Sequence, residues 1–397
     1  MRLVHLSDLH LGYRQYQRLT PRGINQREFD VARTFKLAID RIIELRPDVI
    51  IIAGDIFHTA RPTNTAILHA FQQFANLRRQ LPEAAIVLTA GNHDTPRSTE
   101  TGSILGLFET LDIRVASVGP QRFLFEDLDL AVLAVPDVPG GLPELTPDGN
   151  ARQNVLVLHG DVTDVVPRYY AELDRAPLQL TTSQLGLSRW DYVALGHYHV
   201  HRKIATNAFY SGSLDYTSLN VWFDLSEEDD HGVKGKGIVE YDLANQRHVF
   251  HTIPRSRDFH DLGPIKARDM TPAEVNTAIE RIVGKVKGGI DDKIVRLVIR
   301  DIPRQVGREL DQRAIREYKR RALSFHLDLR KPEQTRRDSA GAPSVRRSVT
   351  EVVREHLSQW ELSADLDRAQ LVALGLKYLG EADAFVSATV GVTDLEA

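Results

Sequence analysis

Side chains that can bind a divalent metal ion occur in five short clusters along this chain. The clusters contain aspartate, histidine and asparagine, and the chain has no cysteine. That mixture suits an open hydrolytic site for Mn²⁺, Mg²⁺, Fe²⁺ or Zn²⁺, because closed structural sites depend mainly on thiolates. In chain order the clusters supply seven candidate metal ligands: Asp8, His10, Asp55, Asn92, His159, His197 and His199.

Seven donors exceed what one four-coordinate ion needs, but they suit two ions that share a ligand. Two dications about 3.5–4 Å apart repel each other by on the order of 17 kcal/mol at an effective dielectric of about 20. Bridging anions offset that repulsion, so we expect Asp55 and a metal-bound hydroxide between the ions. Metal binding lowers the pKa of water to about 7, which creates a nucleophile at neutral pH. The sequence therefore predicts phosphoester hydrolysis, in which the ions also clamp two phosphate oxygens.

Two residues beside Asn92 could complete this chemistry. His93 could contact the phosphate or protonate the departing oxygen, and Asp94 could orient the His93 imidazole. A short Gly-Asp or Asn-His-Asp motif is weak by itself, because turns favour these residues for backbone reasons. Isolated histidines such as His5 are expected to be structural or exposed. The ordered set D-x-H, GD, GNHD, HG and GHxH is much more specific than any one of its members.

The clusters follow apolar runs that are typical of buried strands. Runs at 3–6, 49–53, 86–90 and 192–195 each precede a cluster. Ligands at the carboxyl ends of such strands gather in one crevice of an α/β sheet. Helical spacing of apolar residues predicts helices between the first runs, and period-two or apolar patterns predict further strands later in the chain. The helices are expected at 29–45 and 67–81, and the strands at 130–135, 155–158, 237–241 and 248–253. This pattern favours an α/β fold in which two sheets pack as a sandwich with flanking helices.

A chain of 397 residues is expected to form two or three domains. We predict a first domain at 1–262, a small α+β cap at 263–335, a polar linker at 336–344 and a pair of helices at 345–397. Within the cap, Thr271, Pro272 and Glu274 form the pattern of a helix N-terminus with a capping box. The terminal helices are amphipathic, and they could either fold back on the body or dock on a partner.

Charge and composition narrow the class of protein. The net charge is −4, but residues 300–355 contain 15 Lys and Arg against 9 Asp and Glu, which leaves −10 for the rest. Such asymmetry is a weak indication of a polyanionic partner. No apolar stretch approaches the roughly 20 residues that span a bilayer, so we expect no membrane partner. The first residues are typical of a strand and not of a signal peptide, and the absence of cysteine fits a cytoplasmic location.

The ordered motifs resemble those of the calcineurin-like metallophosphoesterase superfamily. Residues 54–58, 91–96 and 211–213 narrow the resemblance to the SbcD-type nucleases of DNA double-strand-break repair. It covers the first 260 residues, the cap in outline and the tail mainly by position. The resemblance implies a four-layer β-sandwich flanked by helices, with a dinuclear centre. One ion would be held by Asp8, His10, Asp55 and His199, and the other by Asp55, Asn92, His159 and His197. His93 would face the phosphate, and His58 would be an additional active-site histidine.

The same resemblance implies the activity and the partners. Such nucleases work with Mn²⁺, degrade duplex ends in the 3′ to 5′ direction, and cut single strands and hairpins endonucleolytically. They act as dimers with an SbcC-type SMC ATPase that docks on the terminal helices, in the cytoplasm at the nucleoid. Two alternatives remain open: a phosphodiesterase for small molecules or other phosphoesters, and a scaffold that couples an ATPase to DNA ends. Arginines of the cap could contact DNA phosphates, namely Arg304, Arg308, Arg313, Arg316, Arg320 and Arg321.

Overall fold

The computed structural model describes residues 1–96, 102–138, 142–173, 176–332, 349–359 and 367–390. The chain divides into two compact units, Met1–Pro332 and Glu333–Ala397. Within the described residues the strands are β1 (Arg2–Leu6), β2 (Val49–Ala53), β3 (Ala85–Thr89), β4 (Arg114–Ala116), β5 (Gln121–Phe125), β6 (Leu130–Val135), β7 (Gln153–His159), β8 (Asp161–Val162), β9 (Gln179–Leu180), β10 (Tyr192–Gly196), β11 (Arg202–Ala205), β12 (Ala208–Tyr210), β13 (Gly237–Asp242), β14 (Arg247–Thr252), β15 (Phe259–Lys266), β16 (Ile294–Arg300) and β17 (Ser324–Leu329).

The α-helices of the described residues separate these strands. They are α1 (Gln26–Leu45), α2 (Asn64–Gln80), α3 (Arg168–Leu173), α4 (Thr182–Leu185), α5 (Val221–Asp230), α6 (Pro272–Gly284), α7 (Arg304–Arg308), α8 (Gln312–Arg321), α9 (Val349–Gln359) and α10 (Arg368–Val390). Short 3₁₀ helices lie at Ile104–Leu111, Glu126–Leu128 and Leu187–Arg189. None of the helices in the described ranges is long and apolar enough to cross a membrane.

Two six-stranded sheets pack face to face in the first unit. One has the order β14-β13-β1-β2-β3-β4 and the other β11-β12-β10-β7-β6-β5. Val49 and Ile51 of β2 point into the layer between the sheets, where they join Val155 and Val157 of β7. The alternate residues of β2 point to the opposite face and pack with α1 and α2. The β2 sequence is therefore apolar throughout because both faces of its sheet are covered.

The outer face of the second sheet is covered as well. Leu156 and Leu158 of β7 point away from the sandwich interior and pack with Tyr170 of α3 and Leu185 of α4. Helices, two sheets and a layer of short helices and loops thus make four layers with three apolar interfaces. The predicted α/β sandwich with flanking helices is confirmed.

A third sheet follows, with the order β15-β16-β17 and parallel pairing throughout. Val295 and Leu297 of β16 contribute one face of this sheet to an apolar core that includes residues of α6 and α8. The predicted capping box is present at the start of α6, where the Thr271 side chain accepts from the Glu274 backbone N–H and the Glu274 carboxylate accepts from the Thr271 N–H. The predicted boundary at residue 262 falls inside β15, which pairs with β16 from Phe259 to Lys266.

The second unit consists, in its described part, of two helices that pack against each other. The Arg368 guanidinium donates to the Leu357 carbonyl, and the Gly375 backbone approaches the Leu357 side chain closely. The second helix ends at Val390, within the range predicted for the helical pair. The predicted linker at 336–344 lies outside the described residues.

His5, a histidine expected to be structural or exposed, is fully buried in β1. Its Nδ1 lies 3.1 Å from the Tyr192 hydroxyl. Burial, with a smaller effect from His201, lowers the pKa of His5 to about 3. An unfolded histidine takes up a proton near pH 6.5, so the unfolded state binds more protons between that pH and 3. The stability contributed by neutral His5 is therefore present above pH 6.5 and is lost as the pH falls.

We expect His5→Gln to make the pH dependence of stability shallower. Between pH 7 and pH 5, His5 should account for about 2 kcal/mol of the loss in unfolding free energy. Urea unfolding of both proteins at the two pH values, in EDTA so that metal binding does not contribute, measures this difference. Equal losses in the two proteins would show that His5 does not control the acid sensitivity.

Candidate metal centre

The seven predicted ligands lie at one end of the sandwich. Asp8 and His10 follow β1, Asp55 follows β2, and Asn92 follows β3, and these strands run parallel in the first sheet. In the second sheet the parallel strands β7 and β10 deliver the remaining ligands, His159, His197 and His199. Six of the seven are buried, and Asn92 is partly exposed. The sheet topology thus brings together residues that are up to 191 positions apart in the sequence.

Asp55 occupies the middle of the cluster. Its Oδ2 lies 3.7 Å from His10 Nε2 on one side and 3.5 Å from His159 Nε2 on the other. Its Oδ1 accepts a hydrogen bond of 3.0 Å from the His93 backbone N–H. One carboxylate therefore faces both sets of predicted ligands, which is the geometry that a shared ligand needs.

Three groups of possible ligand atoms lie at or beside this carboxylate, each with its atoms within 4.8 Å of one another; one of them is His10, His58 and His93, and the other two contain the predicted ligands. The first ligand group is Asp8, His10 and His199, in which the two histidine Nε2 atoms are 2.9 Å apart. The second ligand group is Asp55, His159 and His197. Asn92 joins the second group, because its Oδ1 lies 3.1 Å from His159 Nε2. Oxygen and imidazole donors converge in both groups, as divalent ions such as Mn²⁺ or Zn²⁺ require.

The backbone around these ligands is tightly constrained. Asp8, His10 and Asp55 have positive φ angles of 53°, 45° and 53°, a conformation that side-chain-bearing residues adopt at a cost and often at functional sites. Two of the motif glycines are needed for close approach. A Cβ on Gly91 would lie 2.1 Å from Asp55 Oδ1, and one on Gly196 would lie 1.8 Å from the Ala53 carbonyl oxygen. No residue larger than glycine fits either position without moving a ligand strand.

Burial and close contact shift the pKa values of the ionisable groups in the cluster. Burial, together with the nearby Asp55 charge, raises the pKa of Asp8 to about 7. Burial lowers the pKa of His10 well below its usual value. Burial would raise the pKa of Asp55, but His159 and His93 hold it well below its usual range. Burial alone would lower the pKa of His159, but the nearby Asp55 carboxylate raises that pKa well above its usual value.

Three further predicted site residues lie beside the first ligand group. The rings of His58 and His93 stack with centroids 5.2 Å apart, and His58 Nδ1 lies 3.4 Å from His10 Nδ1. His93 Nδ1 lies 2.8 Å from the His58 carbonyl oxygen. Asp94 is predicted from the sequence to orient His93, but its carboxylate accepts hydrogen bonds from the backbone N–H groups of Ile56, Phe57 and Gly91. Asp94 therefore joins the GD and GNHD loops, and the carbonyl of His58 is the group that holds the His93 ring.

Comparison with known proteins identifies the fold that carries this cluster. Residues 1–201, which include all seven predicted ligands, match the family model of calcineurin-like phosphoesterases. The chain belongs to the calcineurin-like phosphoesterase family. Phosphoester hydrolysis and divalent metal binding are properties of this family, and they agree with the two ligand groups.

Among curated proteins, this phosphoesterase is similar to several archaeal proteins named DNA double-strand break repair protein Mre11. It is 30% identical to the protein of Methanocaldococcus jannaschii over 251 residues, which are 62% of this chain and 63% of the relative. It is 29% identical to that of Methanococcus maripaludis over 259 residues, again 62% and 63% of the two chains. With the protein of Archaeoglobus fulgidus it shares 31% identity over 223 residues, 50% of this chain and 46% of the relative. The chain thus spans less than two thirds of the length of these relatives.

Sequence reasoning missed two residues of the phosphoesterase that contact predicted ligands. Asp161, two positions after His159, places its Oδ1 3.4 Å from His197 Nε2. Lys236 is fully buried and donates a hydrogen bond of 2.8 Å to the backbone carbonyl of His199. Asp161 could have been noticed as a second polar residue after the same apolar run. Lys236 gives no signal in the sequence, because only the tertiary fold brings it to His199.

Proposed function

We propose that this phosphoesterase is a metal-dependent DNA nuclease of the SbcD and Mre11 type, which hydrolyses phosphodiester bonds with two divalent cations. The observation that carries the proposal is the position of Asp55 between the two ligand groups. One ion would bind Asp8, His10, Asp55 and His199, and the other Asp55, Asn92, His159 and His197. The donor types admit Mn²⁺, Mg²⁺, Fe²⁺ and Zn²⁺, and the resemblance favours Mn²⁺.

The bound ions would supply Lewis-acid stabilisation of the phosphate and a water of lowered pKa. The surrounding residues have separate tasks. Asp55 provides the negative charge between the ions. A carbonyl oxygen can only accept a hydrogen bond, so the contact with the His58 carbonyl places the proton of neutral His93 on Nδ1. Nε2 of His93 is then the nitrogen that would exchange a proton with the substrate or the leaving oxygen.

The cap supports DNA as the substrate class. Arg304, Arg308, Arg313 and Arg316 are exposed, and among the described residues they form no ion pair. The other two predicted arginines are paired, Arg320 with Glu317 and Arg321 with Asp291. The cap is also tied to the loop after the first ligand cluster, because the Arg18 guanidinium donates to the carbonyls of Arg320 and Ala322. A basic surface on a cap that contacts the loop leading from His10 suits a polyanionic duplex better than a small ester.

The helices α9 and α10 of the second unit and α2 of the first unit are the surfaces to which we assign protein partners. We assign α9 and α10 as the docking site for an SbcC-type SMC ATPase, and we assign a homodimer to the intact nuclease. Large apolar side chains are exposed on α10, at Leu374 and Tyr378, and on α2, at Leu68. A chain that ends at Pro332 tests the first assignment by co-purification with the ATPase, and sedimentation velocity of the full chain tests the second.

Cleavage of end-labelled linear duplex DNA by the purified chain tests the proposed function. In Mn²⁺ the labelled ends should be degraded, and EDTA should abolish the reaction because the ligands alone provide no nucleophile. An aryl phosphodiester serves as a substrate that needs the metal centre but no DNA-binding surface. Hydrolysis of the aryl ester with intact DNA would leave the metal centre standing and contradict the DNA assignment. The affinity for the duplex should also fall steeply as salt is added. The logarithm of the binding constant should fall linearly with the logarithm of the salt concentration, with a slope of about 0.9 per phosphate neutralised.

A further inference from the structure

An exposed patch of aromatic and apolar side chains lies beside the candidate metal centre. Tyr169 of α3 is 48% exposed, Leu219 before α5 is 75% exposed, and Phe223 of α5 is partly exposed. We propose that these three residues, the stacking patch, bind an unpaired nucleobase of the DNA strand that is held at the metal centre. This inference rests on the proposed function and adds to it the residues that select substrates with unpaired nucleotides.

The members of the stacking patch are held together by direct contacts. The rings of Tyr169 and Phe223 have centroids 5.2 Å apart and are tilted by 51°. The Asn220 side-chain amide donates a hydrogen bond of 3.1 Å to the Tyr169 hydroxyl, and Leu219 is the residue before Asn220. Asn220 occupies the N-cap of α5 but makes no side-chain capping hydrogen bond. Asparagine is a favoured capping residue, so its side chain here positions the Tyr169 ring instead of the helix end.

Tyr170 connects the stacking patch to the proposed metal ligands. This buried side chain has its ring 6.4 Å from the Phe223 ring and 6.0 Å from the His199 ring, measured between centroids. Its hydroxyl donates a hydrogen bond of 3.0 Å to the His197 carbonyl. Two successive ring contacts therefore separate Phe223 from a proposed ligand. A DNA strand advances roughly 3.4 Å per nucleotide, so a strand bound at the metals reaches the patch within a few nucleotides.

The residue beside Phe223 extends this surface to the cap. Trp222 is partly exposed, and the Arg296 guanidinium of β16 lies over its ring at 4.9 Å from the centroid. Asp261 of β15 holds the guanidinium from the other side, with a hydrogen bond of 2.8 Å to its Nε. The stacking patch thus lies between the metal ligands and the cap, the two regions that the proposed function assigns to one DNA molecule.

An unpaired base is the occupant that fits this place. Every base has a π-face and stacks on aromatic side chains whatever its sequence. A paired base keeps its faces inside the duplex, so only an unpaired or frayed base can reach the patch. Rings and an isobutyl group suit the face of a base better than a charged phosphate. A protein segment bound at the same place would obstruct the route of the substrate from the ligands to the cap.

The experiment measures binding of a fluorescent single-stranded oligonucleotide to the full chain by anisotropy. Phosphorothioate linkages resist hydrolysis, so binding can be followed with Mn²⁺ present. Tyr169→Ala should weaken binding by about 5–100-fold, the loss expected for one base–aromatic stack. Tyr169→Phe preserves the ring and should retain most of the affinity. Leu219→Ala should cause a smaller loss, because it removes apolar contact but no ring.

Leu124→Ala is the matched control for Leu219→Ala. Leu124 is also a largely exposed leucine, with 59% of its surface accessible. It pairs with Ala131 near the start of β6, at the end of the second sheet that is opposite to the ligands. The control should bind the oligonucleotide like wild type.

An abasic nucleotide placed at successive positions of the oligonucleotide locates the stacked base. In wild type, one position or two adjacent positions should lower the affinity when the base is removed. In Tyr169→Ala the same abasic nucleotide should have little further effect, because the ring and the base contact each other. A blunt duplex offers no unpaired base, so Tyr169→Ala should lose less affinity for it than for the single strand.

The outcomes separate this inference from the function on which it rests. If wild type neither binds nor cleaves DNA, the proposed function is wrong, and the base-binding site with it. If wild type cleaves DNA but Tyr169→Ala and Leu219→Ala bind the oligonucleotide as tightly as wild type, the function stands and the stacking patch is overturned. Unchanged oligonucleotide binding with loss of ATPase co-purification would assign the patch to a protein partner and overturn the inference.

Thermal melting followed by circular dichroism shows whether each variant folds. If Tyr169→Ala does not fold, Leu219→Ala and the abasic scan on wild type decide. The Leu219 side chain is largely exposed, so its truncation leaves the packed interior intact. An abasic scan without a sensitive position would then overturn the inference.

Discussion

Asp55→Asn should lower metal-dependent phosphodiesterase activity by on the order of 10³-fold. The Asp55 carboxylate lies between the two sets of proposed ligands, and its charge would offset the repulsion between the two proposed dications. Asparagine preserves the size of the side chain and the oxygen that accepts the His93 backbone N–H. The loss would therefore report the missing charge and not a disturbed loop.

Hydrolysis of an aryl phosphodiester, measured together with the number of Mn²⁺ ions bound, checks this expectation. Affinity for both ions should fall, because Asp55 is proposed to be the ligand that the two ions share. Asp242→Asn is a control, since this carboxylate lies at the end of β13 and its hydrogen-bond donors among the described residues are Ala244 and Asn245 of its own turn. Full activity of Asp55→Asn with two ions bound would show that another group bridges the metals.

His93→Ala should keep both ions and lose about 10²–10⁴-fold in kcat. Its backbone N–H, which donates to Asp55, survives the substitution, and its imidazole lies in a group with His10 and His58 and in neither the first nor the second ligand group. If His93 protonates the leaving oxygen, cleavage of DNA should suffer more than hydrolysis of the aryl ester. The alkoxide that leaves from DNA needs a proton, whereas an aryl oxide of low pKa departs without one.

Calorimetry and turnover on both substrates separate these properties of His93. His69→Ala serves as the matched control, because His69 is a partly buried histidine of α2 whose Nε2 contacts the Ala32 carbonyl away from the cluster. It should leave turnover unchanged. Loss of one Mn²⁺ from His93→Ala would make His93 a ligand, and equal losses on the two substrates would argue against its role as an acid.

The sequence predicted the convergence of the ligands because the rule that governs it is local. Val49–Ala53 is apolar at every position, so it had to be a strand with both faces covered, and Asp55 had to follow it at the carboxyl end. The same reasoning applies to β1, β3, β7 and β10. Each ligand could be placed at the carboxyl end of its own strand. Because the strands run parallel, these ends lie at the same edge of each sheet, which brings the ligands together.

Features that depend on tertiary contacts were not predictable in this way. β15 has the sequence FHDLGPIK, in which neither face alternates cleanly, so its pairing with β16 could not be read from the pattern. Asp94 lies beside His93 in the sequence, but its carboxylate accepts hydrogen bonds from the backbone N–H groups of the neighbouring loop instead of contacting the His93 ring. Lys236 contacts His199 only because α5 and β13 bring the two together. Proximity along the chain is a poor guide to which donor a buried carboxylate or ammonium group will find.

The pairing of β1 with β13 also determines when this metal centre can form during synthesis. β1 carries the first ligands and lies between β2 and β13, with Arg2 opposite Asp242. A nascent chain that has emerged to residue 201 already contains all seven proposed ligands, yet the strand that completes the environment of β1 is still inside the ribosome. Contacts of such long sequence separation form slowly. The proposed centre is therefore expected to form late in folding, and a growing chain should not acquire metal-dependent phosphodiesterase activity until roughly 40 further residues have been made.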